Sequence, residues 1–107
     1  MSSSPPLAQS RNGEKPQLLF FYSPTSGLCR RVEGFLAQVL QQRQNHVTFA
    51  LRRIDCDRRP ELAERFAIKE LPTLVVVEGK RVCAKLEQPR SCVEIRSTLA
   101  PWLRRGR

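Results

Sequence analysis

The sequence predicts one α/β domain whose elements follow the order β-α-β-α-β-β-α. The uninterrupted apolar segment 18–22 is typical of a strand buried on both faces of a sheet, and the β-branched segment 73–77 is typical of a buried strand. Between and after them, apolar residues recur at helical spacing, which favours helices that cover such a sheet. Glu78-Gly79-Lys80 is typical of a hairpin turn, because Gly79 is free to take positive φ. A chain of 107 residues is long enough for one core of this kind without disulfides.

The first strand passes directly into the first helix. Ser23-Pro24 ends the apolar run, because proline fixes φ and has no backbone N–H. One apolar stripe then extends over about four helical turns, and either Thr25 or Ser26 can cap its start. The stripe consists of Leu28, Val32, Phe35, Leu36, Val39 and Leu40.

Cys29 lies in the first turn of this helix. Counted from a cap at Ser26, it is the third helical residue, whose backbone N–H donates to a capping hydroxyl. The helix terminus and the neighbouring Arg30 and Arg31 favour a thiolate at this position. Cys29 also falls on the edge of the apolar stripe, where burial disfavours a thiolate. We expect burial to dominate and the thiol to react slowly.

A second strand and a short helix follow. Residues 41–46 are predicted to form a polar loop, and residues 47–54 a strand. His46 is interpreted as a surface residue, because no cysteine or acid lies at ligand spacing from it. Pro60 suits the first position of a helix over residues 60–66. The apolar face of that helix carries Leu62, Ala63 and Phe66.

Cys29 and Cys56 follow two strands that are joined through a helix. Two such strands run parallel with a right-handed crossover, so both end at the same edge of the sheet. We therefore expect Cys29 and Cys56 to share one rim of the molecule.

Leu71-Pro72 leads into strand 73–77, which returns after the turn as strand 81–87. Cys83 is predicted to point away from the inward face of the returning strand. That inward face carries Val82, Ala84 and Leu86.

The last helix begins with Ser91-x-x-Glu94, which is a capping box. Pro101 is predicted to stop or kink this helix near its end. Its apolar stripe consists of Cys92, Ile95, Leu99, Trp102 and Leu103.

The segment Ser26-Gly27-Leu28-Cys29 resembles the active-site junction of the thioredoxin superfamily, where Cys-x-x-Cys lies between a strand and a helix. Residues 54–63 resemble the family's next strand-to-helix crossing, and residues 66–74 resemble the segment that contains its cis-proline, here Pro72. The resemblance extends over residues 17–103. It implies a minimal thioredoxin-like fold, a four-stranded mixed sheet in the order 2-1-3-4 with helices on both faces.

For activity, the resemblance puts Ser26 at the position of the family's attacking cysteine. A dithiol enzyme attacks with one thiolate and releases the mixed disulfide with a second thiol. A serine hydroxyl is not ionised near neutral pH, so standard dithiol–disulfide oxidoreductase activity is not expected. Phe20 and Leu51 stand where the family carries an acid and a lysine for proton transfer, so the resemblance implies that core residues replace the proton relay. Gln88-Pro89 stands where the family lines its peptide groove with glycine.

Three classes of function remain open. The favoured one is a peptide- or protein-binding module, such as a chaperone-like holdase or an adaptor, that holds an extended segment in the groove implied by the resemblance. Its contact residues would be Thr25, Gly27, Leu28, Leu71, Pro72 and Thr73. The alternative is an atypical thiol–disulfide oxidoreductase of redox homeostasis that uses Cys29 alone or together with Cys56. The third is a polyanion binder that uses the arginine-rich surface.

Composition sets the remaining expectations. The net charge of +9 comes from 19 basic residues, 15 of them arginines scattered along the chain, which indicates weak nonspecific binding to polyanions. Apolar stretches are too short for a membrane span and no secretory signal is evident, so we expect a cytoplasmic protein without a membrane partner. No cofactor or metal site is predicted. Residues 1–16 are expected to be a disordered tail and 104–107 a basic tail, on either side of domain 17–103.

Overall fold

The computed structural model describes residues 15–42 and 48–105, except for the side chains of residues 104 and 105. Within them the predicted element order β-α-β-α-β-β-α is confirmed. The elements are β1 (Gln17–Tyr22), α1 (Gly27–Gln41), β2 (Ala50–Asp55), α2 (Pro60–Arg65), β3 (Thr73–Glu78), β4 (Arg81–Glu87) and α3 (Cys92–Arg105).

The four strands form one mixed sheet in the order β2-β1-β3-β4, as predicted. The central strand β1 runs parallel to β2 and antiparallel to β3, while β3 and β4 form an antiparallel hairpin. Gly79, in the hairpin turn, has φ of 62°, a conformation that costs glycine little. The sheet therefore places the carboxyl ends of β1, β2 and β4 at one edge, beside the start of β3.

Helices cover both faces of the sheet, also as predicted. The larger core lies between the sheet and the helices α1 and α3. It consists of Leu18, Phe20, Val32, Leu36, Val39, Leu40, Phe49, Leu74, Val76, Ile95 and Leu99. In the helices these residues recur at the helical period, and in the strands they alternate with residues of the other face. Their burial on this face therefore follows directly from the sequence pattern.

The opposite face carries a smaller core beneath α2 and the chain that follows it. Its buried residues are Leu19, Phe21, Ile54, Val75 and Val77. Leu62 and Phe66 pack against this core while remaining half-buried, because a helix of six residues covers only part of the sheet. The two central strands are thus buried on both faces.

The second strand differs from the prediction. Strand β2 begins at Ala50 instead of residue 47, and Ile54 is its one buried residue. Leu51 is 44% exposed, so it does not belong to the core that the sequence assigns to it. The physical reason is that β2 is an edge strand, whose outer side has no neighbour among the described residues. The predicted surface residue His46 lies outside the described residues.

The returning strand β4 also differs from the prediction. An irregularity between Val76 and Val77 shifts the register, so Val76 pairs with Ala84 while Val77 pairs with Val82. Val76 and Val77 point to opposite faces, and Val82 therefore does not share the face of Ala84 and Leu86. Val82 is 48% exposed as a result.

The last helix begins at its predicted capping residues and continues past Pro101 to Arg105. Glu94 N–H donates to Ser91 Oγ at 3.2 Å, and the Glu94 carboxylate accepts from Arg90 N–H at 2.7 Å. Residues 1–14 and 106–107 lie outside the described residues, so the predicted tails stay predictions. No helix in the described segments is long and apolar enough to cross a membrane.

Candidate functional site

The loops at the carboxyl ends of β1, β2 and β4 and the loop before β3 meet at one edge of the sheet. We call this edge the rim and define it as residues 23–29, 56–59, 70–72 and 88–90. Its geometry follows from the register, because Phe21 pairs with Thr73 and the Cys56 N–H donates to the Tyr22 carbonyl at 2.9 Å. Cys29 and Cys56 therefore both belong to the rim.

Ser26 is the N-cap of α1, which settles the choice that the sequence leaves between Thr25 and Ser26. Its backbone is extended, with φ of −95° and ψ of 124°, and its hydroxyl accepts from Cys29 N–H at 3.2 Å. This is the geometry in which a serine satisfies one of the unpaired amides of a helix start. The Ser26 hydroxyl is thus engaged with the backbone of the residue that carries the thiol.

Cys29 lies beneath the surface of the rim. It is 2% exposed, and its Sγ accepts a hydrogen bond from Ser23 N–H at 3.4 Å. The apolar stripe of α1 explains the burial, since Val32 and Leu36 continue it one and two turns later. A thiol in this position reaches a reagent only after the chain opens locally.

Cys56 lies nearer to solvent at the end of the neighbouring strand. Partial burial raises the pKa of the Cys56 thiol, and the carboxylates of Asp55 and Asp57 raise this pKa further, against a hydrogen bond with the Tyr22 backbone. A single peptide unit connects the two cysteines, because the Tyr22 carbonyl accepts from Cys56 N–H while Ser23 N–H donates to Cys29 Sγ. All four cysteines of the chain are free thiols.

A hydroxyl and carboxylate network joins the two strand ends, and the sequence analysis missed it. Ser23 Oγ donates to Asp57 Oδ2 at 3.2 Å and lies 3.2 Å from Thr25 Oγ1. Asp57 N–H in turn donates to Asp55 Oδ1 at 2.9 Å. The sequence did contain a signal for this network, namely polar residues directly after two strands predicted to be parallel. Parallel strands bring the residues that follow each of them together.

Leu71 and Pro72 form the opposite side of the rim, and the peptide bond between them is cis. Pro72 is buried, and Thr73 is completely buried with its hydroxyl donating to the Glu70 carbonyl at 2.6 Å. Of the predicted contact residues, Pro72 and Thr73 thus present no exposed side chain. Leu71 is half-buried, and its N–H finds no acceptor within residues 15–42 and 48–105.

Gln88 makes a hydrogen bond that the sequence did not predict. Its backbone has φ of 46°, and its N–H donates to the Pro72 carbonyl at 2.8 Å. Its side-chain Nε2 donates to the Leu71 carbonyl at 3.0 Å. Leu71 consequently presents one free backbone donor and one acceptor that Gln88 already occupies.

The start of α1 supplies the exposed part of the rim. Thr25 and Gly27 are exposed, and an added Cβ at Gly27 would meet no atom within 4 Å. Leu28 is 38% exposed, a large apolar side chain in contact with water. No group of three or more residues that could hold a metal ion occurs in the described parts of the chain. The rim therefore offers backbone donors and apolar surface.

Comparisons with known proteins agree with this architecture. The family model for thioredoxin matches residues 8–101. Thioredoxin from Alicyclobacillus acidocaldarius is 31% identical over 88 residues, which cover 80% of this chain and 82% of that protein. The bifunctional thioredoxin reductase/thioredoxin of Mycobacterium leprae is 29% identical over 73 residues, which cover 68% of this chain and 16% of that longer protein.

A solved structure shows the same fold. The germline-specific thioredoxin protein Deadhead (thioredoxin-1) from Drosophila melanogaster superposes with a TM-score of 0.72 at 23% identity, covering 83% of this chain and 82% of that one. The family model extends over most of the sequence, and the Alicyclobacillus relative is matched along most of both chains. This chain therefore belongs to the thioredoxin family.

Proposed function

We propose that this chain is a binding module, a chaperone-like holdase or an adaptor, that holds an extended segment of a partner protein at the rim. One observation carries the proposal. The rim contains no exposed thiol at the start of α1, because Ser26 uses its hydroxyl to accept from Cys29 N–H and Cys29 itself is 2% exposed.

Disulfide exchange needs an accessible thiolate that attacks and a second thiol that resolves the mixed disulfide. Thioredoxins carry both in Cys-x-x-Cys, whereas this chain has Ser26-Gly27-Leu28-Cys29. Cys56 is the other thiol at the rim, and its raised pKa keeps it protonated at neutral pH. These observations favour binding without redox chemistry over the alternative that pairs Cys29 with Cys56.

The rim offers what an extended chain requires. The free Leu71 N–H can pair with a carbonyl of such a segment, in the way that strands add to an exposed backbone. Leu28 gives apolar surface next to the open space above Gly27. A segment that also used the Leu71 carbonyl would have to displace Gln88 Nε2 from it.

The test uses reduced, carboxymethylated α-lactalbumin, an unfolded protein without free thiols, as a fluorescent probe in titrations with this chain. We expect saturable binding that Leu28→Glu weakens roughly tenfold, because one apolar side chain loses its burial. The matched control Val82→Glu changes a comparably exposed side chain at the far end of β4, and we expect affinity to stay within about twofold.

A second variant probes the Leu71 backbone directly. Gln88→Ala removes the side-chain donor from the Leu71 carbonyl, so we expect it to tighten binding by roughly threefold, the worth of a modest hydrogen bond. The proposal fails if the unmodified chain does not bind the probe saturably, or if Leu28→Glu and Val82→Glu weaken binding equally.

A further inference from the structure

The end of the sheet opposite the rim carries a group of basic residues. Gln17 pairs with Ala50, so the starts of β1 and β2 lie together at this end. Lys15 precedes β1, Lys80 lies in the turn from β3 into β4, and Arg81 begins β4 at the same end. We call this surface the basic pole and define it as Lys15, Lys80, Arg81 and the last turn of α3.

Helix α3 is tied to the pole by its tryptophan. Trp102 Nε1 donates to Glu78 Oε2 at 2.6 Å, and the Trp102 ring lies 6.4 Å from the ring of Phe49, centroid to centroid. Because α3 continues to Arg105, Arg104 and Arg105 belong to the turn that follows this anchor. The backbone thus brings three separate parts of the chain that carry basic residues to one end of the molecule.

Three cations of the pole have no carboxylate partner in the described segments. The ion pairs found there join Arg53 to Glu33, Arg58 to Asp55 and Arg59 to Glu61. Lys15, Lys80 and Arg81 are exposed and belong to none of these pairs. Glu78, which pairs with Arg81 across the hairpin, adds one negative charge at this end, and the carbonyl ends of α1 and α3 contribute about half a negative charge each. Together they offset only part of these three full positive charges.

The surroundings of the pole favour one class of partner. Val82 and Leu51 are the large exposed apolar residues nearest to it, but they lie on opposite edge strands and opposite faces of the sheet. Among the described residues, the pole therefore lacks the apolar centre of a protein–protein interface and the apolar wedge of a membrane-binding surface. Protein–nucleic acid interfaces are polar and strongly positive, and guanidinium groups match phosphate geometry.

We propose that the basic pole binds the phosphate backbone of a nucleic acid without sequence preference. The Trp102 ring is half-buried against Phe49 and its Nε1 donates to Glu78, so we assign the affinity to phosphate contacts. The pole and the rim lie at opposite ends of the sheet, so a nucleic acid and a protein segment can bind at the same time. The proposal is independent of the function proposed for the rim.

The experiment measures binding to a fluorescent DNA duplex of about 20 base pairs, by anisotropy, in KCl from about 50 to 200 mM. The double variant Lys80→Glu/Arg81→Glu reverses two charges at the pole. We expect this variant to bind roughly tenfold more weakly. The slope of the logarithm of the binding constant against the logarithm of the KCl concentration should become shallower by about 0.9 for each phosphate that the protein no longer neutralises. The variant Arg30→Glu/Arg31→Glu makes the same charge change at the start of α1, and we expect an effect within about twofold.

Circular dichroism checks that each variant is folded, and the neutral pair Lys80→Gln/Arg81→Gln should lose affinity to an intermediate extent. The proposal is overturned if the unmodified chain does not bind DNA at the lowest salt, or if the two charge-reversed variants weaken binding equally, which would mark an effect of net charge alone. It is also overturned if vesicles containing phosphatidylglycerol bind in a manner dependent on Lys80 and Arg81 while DNA does not.

Discussion

Two junctions of this fold have the same topology and different local sequences. In each, a parallel strand ends at the rim and the chain turns into a helix. At the junction of β1 and α1, Ser26 caps a helix of 15 residues that buries five of them. At the junction of β2 and α2, Arg59 makes no side-chain cap, and the helix of six residues buries none.

The difference decides what each cysteine can do. Cys29 is held by the capped helix, with its N–H donated to Ser26 and its sulfur accepting from Ser23. Cys56 lies in a turn whose helix covers little of the sheet, so its thiol stays nearer to solvent. Topology brings the two thiols to one edge, but local packing gives one a structural position and leaves the other accessible.

The largest expected effect is a gain of disulfide reduction when a second thiol is placed at the junction of β1 and α1. The unmodified chain should not reduce insulin above the reagent blank, because the Ser26 hydroxyl cannot attack a disulfide. Ser26→Cys should give measurable insulin reduction, although well below that of an ordinary thioredoxin. The limit arises because Phe20, where the resemblance places the family's acid, is buried core, and because Gln88 occupies the Leu71 carbonyl.

Thr25→Cys is the matched control for this measurement. It adds a thiol one residue before the cap, where three residues instead of two separate it from Cys29. The Cys-x-x-Cys spacing is therefore not formed, and insulin reduction should stay at the level of the blank. Robust reduction by the unmodified chain would contradict the comparison, since it would make one of the present thiols an efficient nucleophile.

The next effect is the difference in reactivity between the two thiols. Iodoacetamide should modify Cys56 on the order of 100-fold faster than Cys29, because Cys29 must wait for local opening. The raised pKa of Cys56 leaves less thiolate at about pH 8 than in free cysteine, so its rate should keep rising with pH beyond the range where free cysteine levels off.

Mass spectrometry of the digested protein assigns each rate to a residue, and Cys56→Ser confirms the assignment. Equal rates at Cys29 and Cys56 would show that the capped junction does not protect its thiol. A Cys56 rate that levels off at lower pH than free cysteine would contradict the effect of partial burial on its pKa.

The central part of the fold could be predicted from the sequence because its signals are local. The run around Phe20 and Phe21 has no polar interruption, and a strand buried on both faces is the simplest structure for it. The edge strands were predicted less well. The exposure of Leu51 arises because β2 is an edge strand, and that of Val82 arises from a shift in register. Neither cause can be deduced from the local sequence.

The candidate site divides in the same way. The cap at Ser26 and the burial of Cys29 follow from spacing within one helix, so the sequence indicates both. The bond from Gln88 to Leu71 joins residues 17 positions apart and depends on a positive φ at a residue that is not glycine. Such a bond has no local signal, and only the folded chain reveals it.

The smallest effect concerns the caps of the two helices. Ser26→Ala should lower the free energy of unfolding by about 1 kcal/mol, because Cys29 N–H loses its acceptor. Arg59→Ala removes an exposed ion pair with Glu61 and no side-chain cap, so its cost in stability should be clearly smaller than that of Ser26→Ala. Urea unfolding of both variants measures the difference, and Ser26→Asp, which keeps a capping oxygen, should recover most of the loss. If Arg59→Ala were as costly as Ser26→Ala, the cap would not be what distinguishes the two junctions.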